Sequence, residues 1–417
     1  MQKLRYEKYS DGKPLAKSQL YQVESIYQKS ELQSQFLQLK ANVCDLNPAL
    51  VTKCIAGTEQ DFILLMNRAR DFIEYTFQGN SEGERKQLLE MFRQCVFGYY
   101  VLTPLILAKD VSDIKVLAYD HIVVKANGKR YVSDITFFNE EDYRTWYERM
   151  HRIHKLGRSI EHALGRCTDR KGVDTYYLRI DVQHACITST EQNNIHIRKM
   201  PKEKYTWEYL KENKMLDDEM MEYLLDRILS GYGFLISGKG GSGKSTLLNN
   251  MLDMIPYDES VLVSQESDEL YSNCHPQIQF EHTMSIQKDD RLVEFTLEDE
   301  LRLGLLQDID NFVIGEIKGG EALHIFTTAI STGARFFGTI HANNARSSVT
   351  RLAQCARYIS DYPMETLEEM LTCMPFVLIH MSHFAIDEIV EIIGWDRTKK
   401  QLILSQVYRK QEVRGHV

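Results

Sequence analysis

The sequence predicts an α/β protein: a doubly wound C-terminal domain preceded by a smaller α+β domain and by peripheral helices at the N-terminus. Three observations carry this. First, Gly238-Lys239-Gly240-Gly241-Ser242-Gly243-Lys244-Ser245-Thr246 fits the pattern G-x-x-x-x-G-K-[ST]. It lies between a short buried-strand run, Phe234 to Ser237, and a helix-forming run, Thr246 to Leu252. Second, short apolar runs alternate with helical stretches after residue 260, the rhythm of a sheet covered on both faces. Third, the region before the loop reads differently, with Asn127-Gly128 between two strand-like runs as in an antiparallel hairpin.

Residues 1–85 are polar and helix-leaning, with roughly helical apolar spacing from Gln19 to Lys40. They read as peripheral helices. Residues 86–200 form the expected α+β domain. There the stretch from Glu84 to Leu107 reads as a helix ending near Gly98, and Ile114 to Val124 and Arg130 to Thr136 read as strands. A helix follows from Asp142 to Leu156, then strands from Tyr176 to Val182 and Asn194 to Met200. Residues 201–216 read as a linker with a short helix. In the last domain, 217–417, a helix from Asp217 to Leu229 leads to the glycine-rich loop. Strands are expected at Val261–Val263, Asn311–Gly315 and Phe336–Ile340, with helices from Thr296 to Leu306, Glu321 to Ser331 and Ser347 to Tyr358. Ile386 to Ile393 and Gln401 to Tyr408, around Gly394-Trp395-Asp396-Arg397, read as a closing antiparallel hairpin.

Composition narrows the class. A chain of 417 residues, 43% hydrophobic and 26% charged, is an ordinary globular composition spread over more than one core. A net charge of −9 argues against wholesale wrapping of nucleic acid, which needs a basic face. No run is long and apolar enough to span a bilayer, and Met1 to Lys8 lacks the apolar core of a signal peptide, so a cytoplasmic location is expected. The eight cysteines contain no C-x-x-C pair and read as free thiols.

The chemistry concentrates in the C-terminal domain. In a strand–loop–helix setting, Gly238, Gly240, Gly241, Ser242 and Gly243 turn backbone N–H groups toward phosphate oxygens, helped by the positive end of the helix that begins near Thr246. Lys244 reaches the β- and γ-phosphates and the Ser245 hydroxyl ligates Mg²⁺, so the expected ligand is ATP with Mg²⁺. Such a site needs an acid on another strand, and Glu316 ends the apolar run from Asn311. A second acidic cluster, Glu266-Ser267-Asp268-Glu269, follows Val261–Val263 and offers a carboxylate to orient water. His341 follows the strand-like run Phe336 to Ile340, in position to meet the γ-phosphate.

Taken together and in this order, these segments resemble the secretion ATPase superfamily, the motors of type II secretion, type IV pili and conjugation-type type IV secretion. The resemblance covers about residues 85 to 410. Before the loop it includes Gly98 to Leu107, Val111-Ser112-Asp113-Ile114, Leu156-Gly157-Arg158-Ser159-Ile160 and Ile195-His196-Ile197-Arg198-Lys199. After it come an Asp box, Ser264 to Leu270, the run Gly315 to Ala322, and a His box from Thr332-Gly333 through His341-Ala342-Asn343, with Arg351-Leu352 beyond.

What the resemblance implies is a ring, usually a homo-hexamer, in which an N-terminal domain and a RecA-like ATPase domain join through a flexible linker. It implies that Glu266 helps to activate water, that Glu316 supports Mg²⁺, and that His341 contacts the γ-phosphate. Arginines of the N-terminal domain would complete the site, with Arg198 the best match and Arg179 the second. Partners would be inner-membrane platform proteins of a pilus or secretion machine, so membrane association would be peripheral and indirect, with no direct contact to nucleic acid. An ATP-gated assembly or regulatory module with negligible turnover, and a RecA-like nucleic-acid motor, are the rival readings.

Departures from the family pattern sharpen this. The Asp box is short, leaving Glu266 and Glu269 both open as the base. Leu306-Gln307-Asp308-Ile309 stands where arginines usually precede the Gly-Glu strand, Lys318 replaces an arginine, and Ala334 replaces a histidine. No tetracysteine zinc motif is present, which favours the tight-adherence-pilus and conjugation branch or a retraction-type motor.

Overall fold

The computed structural model describes residues 9–10, 13–14, 20–28, 30–56, 59–154, 163–288 and 291–410. The run Leu156 to Ile160 therefore lies outside the described residues, as do Met1 to Lys8. The chain divides into two compact units, Met1–Lys202 and Glu203–Val417. The first takes in both the N-terminal helical segment and the α+β region. Among the described residues no helix is long and apolar enough to cross a membrane.

In the first unit, Tyr9–Ser10 (β1) pairs with Lys13–Pro14 (β2). A seven-stranded sheet is built from Leu20–Tyr21 (β3), Val111–Ala118 (β4), His121–Ala126 (β5), Lys129–Ser133 (β6), Leu164–Asp169 (β7), Tyr176–Gln183 (β8) and Asn194–Pro201 (β9), in the order β3-β6-β5-β4-β9-β8-β7. The stretch read as one strand from Ile114 to Val124 is two antiparallel strands, β4 and β5, folded back at Tyr119-Asp120. Strand β7, Leu-Gly-Arg-Cys-Thr-Asp, has no apolar alternation and gave no sequence signal.

The helices are Ser30–Lys40 (α1), Pro48–Ala56 (α2), Glu59–Thr76 (α3), Glu82–Phe97 (α4), Thr103–Leu107 (α5) and Glu140–Ile153 (α6). A reciprocal cap between Ser81 and Glu84 starts α4, and Gly98 ends it. The helices read as peripheral are not an appendage. Phe36, Leu39, Leu65 and Ile73 share one apolar core with Leu88, Phe92, Ile114, Trp146 and Ile180. The hydrophobic effect fixes them there, because each of these side chains contributes about 1.5–3 kcal/mol by leaving water.

The second unit begins with Trp207–Glu212 (α7) and Asp218–Leu229 (α8), the latter capped by Asp217. Its eight-stranded sheet contains Gly233–Gly238 (β10), Val261–Gln265 (β11) and Ile278–His282 (β12). A separate hairpin, Met284–Lys288 (β13) and Arg291–Phe295 (β14), follows. The sheet continues with Asn311–Ile317 (β15), Arg335–Ile340 (β16), Phe376–Ser382 (β17), Ala385–Asp396 (β18) and Gln401–Arg409 (β19). The order is β12-β11-β15-β16-β10-β17-β18-β19. The first six strands run parallel, and β18 and β19 turn back as the expected closing hairpin.

Lys244–Leu252 (α9), Leu297–Gly304 (α10), Ala322–Ser331 (α11), Ala345–Ala356 (α12) and Met364–Met370 (α13) complete the unit. Two apolar cores, one centred on Leu235, Phe312 and Phe326 and one on Phe234, Leu247 and Val263, lie on the two faces of the sheet. Central strands buried on both sides explain why β10 and β16 read as unbroken apolar runs.

Candidate functional site

Strand order assembles the site. The strands β11, β15, β16 and β10 are neighbours in that order and parallel, so their C-terminal ends lie side by side. Those ends carry Glu266, Glu316, His341 and the glycine-rich loop respectively. The carboxyl edge of a parallel sheet is where such folds bind ligands, because helix N-termini and loops converge there.

The loop itself depends on glycine at two places. Gly238 has φ +149°, and a Cβ on it would meet the Met381 carbonyl oxygen at 2.3 Å. Gly243 caps the start of α9 with φ +98°, where a Cβ would press on Met215 and Phe384. Gly240 has open space, its nearest neighbour being the His341 ring at 3.8 Å. Lys244 opens α9 in the same first turn as Ser245 and Thr246, and is buried. Its Nζ donates to the carbonyls of Gly238 (2.9 Å) and Lys239 (3.0 Å). Burial lowers its pKa from the ordinary lysine value, while the charges of Glu316 and Glu269 work the other way.

A β-bulge aims Glu316. The register of β15 against β16 slips between Ile314 and Ile317, so Gly315 and Glu316 together oppose Thr339, whose hydroxyl donates to the Gly315 carbonyl at 2.6 Å. Glu316 Oε1 then lies 2.6 Å from His341 Nε2, and Oε2 lies 3.0 Å from Lys318 Nζ. The other ring nitrogen of His341, Nδ1, is 3.0 Å from the Gly238 carbonyl. Burial pushes the Glu316 carboxyl up, but Lys318, His341 and Lys244 outweigh it and hold the carboxyl below its usual value.

Lys318 also donates to Glu266 Oε2 at 2.6 Å, which draws the acidic loop after β11 toward β15. Burial opposes its charge, but the two carboxylates raise its pKa above the ordinary lysine value. The same acidic loop is clasped from within. The buried Gln265 side chain accepts from Leu270 N (2.8 Å) and donates to Leu270 O (3.1 Å), closing Glu266 to Glu269 into a fixed turn. Sequence reasoning passed over Gln265, whose signal is a polar residue completing a fully buried strand.

Glu266, Glu316, His341 and the loop residues Gly238 to Thr246 thus come together within the second unit. Arg179 and Arg198 belong to the first. They sit opposite each other on β8 and β9. Arg198 Nε is 3.1 Å from Asp113, and Arg179 Nε is 3.6 Å from Asp181. Burial pushes the Asp113 carboxyl up, but hydrogen bonds from His196, Ser112 and Arg198 keep it far below its ordinary value.

Among the described residues no cluster of three or more His, Cys, Asp or Glu could hold a metal ion. Mg²⁺ in nucleotide sites is usually held by one or two protein oxygens together with phosphates and water. A hydroxyl at Ser245 and a carboxylate at Glu316 are the right donors, each hard oxygen.

Residues 173–367 match the family described as Type II/IV secretion system protein. An uncharacterized protein of Methanocaldococcus jannaschii is 29% identical over 202 residues, covering 46% of this chain and 71% of that one. A putative conjugal transfer protein of Mycobacterium tuberculosis is 26% identical over 293 residues, covering 68% of this chain and 80% of that protein. In structure, the ATPase DotB of Legionella pneumophila aligns over 74% of this chain and 79% of its own, at 16% identity and a TM-score of 0.48.

Proposed function

We propose that this chain, a member of the type II/IV secretion ATPase superfamily, is an ATP-hydrolysing motor. In this reading it works as a homo-hexameric ring on the cytoplasmic face of a membrane-embedded pilus or secretion machine of the conjugation type, attached through inner-membrane platform proteins. The observation that carries the reading is the convergence of Glu266, Glu316, His341 and the glycine-rich loop on adjacent strand ends, tied by Lys318 and by the His341–Glu316 contact. A loop built only to bind phosphate needs no such acids.

The roles follow from position. Backbone N–H groups from Gly240 to Ser245 and the Lys244 ammonium hold the triphosphate. Ser245 and Glu316 would hold Mg²⁺, which when bound neutralises charge on the β- and γ-oxygens. Glu266 takes the proton of a water that attacks the γ-phosphorus, the bond to the β-bridging oxygen breaks, and ADP leaves. His341, held between Gly238 and Glu316, faces the transferred group. Arg198, and secondarily Arg179, balance the charge that develops there.

Steady-state ATP hydrolysis with mass photometry on the same sample tests this for wild type, Lys244→Ala, Glu266→Gln and Glu316→Gln. Turnover that requires rings and collapses in all three variants is expected. Full turnover by Lys244→Ala removes the phosphate-loop assignment. Rings that bind ATP tightly without turning it over in the wild type point to a gated assembly module instead.

A further inference from the structure

The segment read from the sequence as a linker, residues 201–216, carries an aromatic stack that meets Phe384, which packs at Gly243 of the glycine-rich loop. The rings of Tyr205 and Tyr209 are 4.6 Å apart and nearly parallel, at 12°. Phe384 meets Tyr205 edge-on at 6.3 Å. Both tyrosines are more than a third exposed, at 37% and 42%.

Phe384 is held in an unusual place. It forms, with His383, the two-residue turn between β17 and β18, and both residues have positive φ, 64° and 48°. Such turns favour asparagine and glycine, and a bulky residue there is strained. The hairpin tip is braced against the loop. Its Phe384 Cδ2 comes within 3.0 Å of a Cβ built on Gly243, and Ile386 N donates to Met215 O at 2.9 Å. From the other side, Asn250 Nδ2 on α9 donates to the Tyr205 carbonyl at 2.7 Å. Residues 243, 246, 247 and 250 share one face of the helix turn, so the aromatic cluster runs along that flank of α9.

We propose that Tyr205, Tyr209 and Phe384 form the stacking platform for the base of the bound nucleotide. This rests on the reading that Gly238 to Thr246 holds the phosphates. The loop fixes one end of the nucleotide at Gly243–Ser245, and the cluster offers π-faces beside that same first turn. Stacking is worth about 1–3 kcal/mol per base and depends little on which base is stacked. The ligand class is a purine nucleotide, with adenine and guanine poorly distinguished.

Calorimetric titration of the full chain separates base from phosphate. The ligands are MgADP, MgGDP and inorganic tripolyphosphate with Mg²⁺, tested on wild type, Tyr205→Leu and Phe384→Gly. Glycine suits the backbone at 384, so that variant removes the ring while relieving strain and is expected to fold. Both variants should bind ADP and GDP about ten-fold more weakly than wild type and bind tripolyphosphate as wild type does. Unchanged ADP affinity, or an equal loss for tripolyphosphate, overturns the platform. A wild type that binds tripolyphosphate no better than Lys244→Ala does overturns the phosphate reading beneath it.

Discussion

Lys318 lies 2.6 Å from Glu266 and 3.0 Å from Glu316, so one ammonium links the two carboxylates that end strands β11 and β15. The link is partly exposed, and such pairs add little to stability. Its consequence is positional. It holds the acid proposed to activate water at a fixed distance from the acid proposed to support Mg²⁺.

Removing it should change rate and pH dependence together. In Lys318→Met, burial still pushes the Glu316 carboxyl up, while the strongest opposing partner is gone. The acid limb of the ATPase profile should therefore move to higher pH, and the rate at pH 7.5 should fall by about 10- to 100-fold from misplacement of Glu266. Lys318→Arg, with its planar fork able to reach both carboxylates, should keep most of the activity. A methionine variant with the wild-type rate and profile would show that the link is incidental.

Much of this edge was legible in the sequence because β10, β11, β15 and β16 are buried on both faces and announce themselves as apolar runs, each followed by a polar group. What was not legible depends on contacts distant in sequence. The bulge that aims Glu316 leaves no mark in Gly315-Glu316 itself. Gln265 looks like any polar strand end until Leu270 is seen folded onto it. The helices of residues 30–76 look solvated because glutamines and charged residues interleave their apolar positions, yet Phe36 and Leu65 are fully buried against the sheet's core. The strands β12 and β13 do alternate apolar and polar residues, with Ile278, Phe280, Met284 and Ile286 on one parity, a period-two signal that the sequence reading passed over.

The Gln265 clasp makes a kinetic prediction. Gln265→Leu preserves volume in a buried strand but leaves the Leu270 amide and carbonyl without this partner, freeing the turn from Glu266 to Glu269. The phosphate loop is untouched. ATPase kcat should fall at least ten-fold while nucleotide affinity changes less than about three-fold. Equal damage to affinity would mean that the turn supports binding rather than hydrolysis.

Glu300 predicts a pH-dependent stability. It is buried on α10, only 7% exposed, and burial pushes its carboxyl up to about 7; the Ser264 hydroxyl works against this, and the charges of Glu281 and Asp299 add to it. A carboxyl whose pKa is higher folded than unfolded stabilises the protein below about pH 4.5, and that contribution is lost as pH rises through 7. Glu300→Gln keeps the shape without the titration. Its thermal midpoint should exceed that of the wild type at pH 8, by about 2–4 °C if the charged form costs on the order of 1 kcal/mol. The two midpoints should converge near pH 5. Parallel curves across this range would place the ionisation elsewhere.

The last prediction concerns the first unit. Arg198 and Arg179 face each other across β9 and β8, an arrangement of like charges that is unfavourable unless anions separate them. Asp113 and Asp181 supply those anions, and His196 lies between them, 3.1 Å from Asp113 and 3.7 Å from Asp181. Arg198 is the more exposed of the two arginines, 41% against 14%, which makes it the better candidate for the charge-balancing role proposed above. Arg198→Ala should therefore lower ATP turnover by at least ten-fold with ring formation retained, and Arg179→Ala should lower it less. Asp113→Asn is the informative companion. If Asp113 only stores Arg198, the variant should retain or raise turnover. If it aims Arg198, turnover should fall with that of Arg198→Ala. An Arg198→Ala enzyme with wild-type turnover would remove the residue from the site altogether.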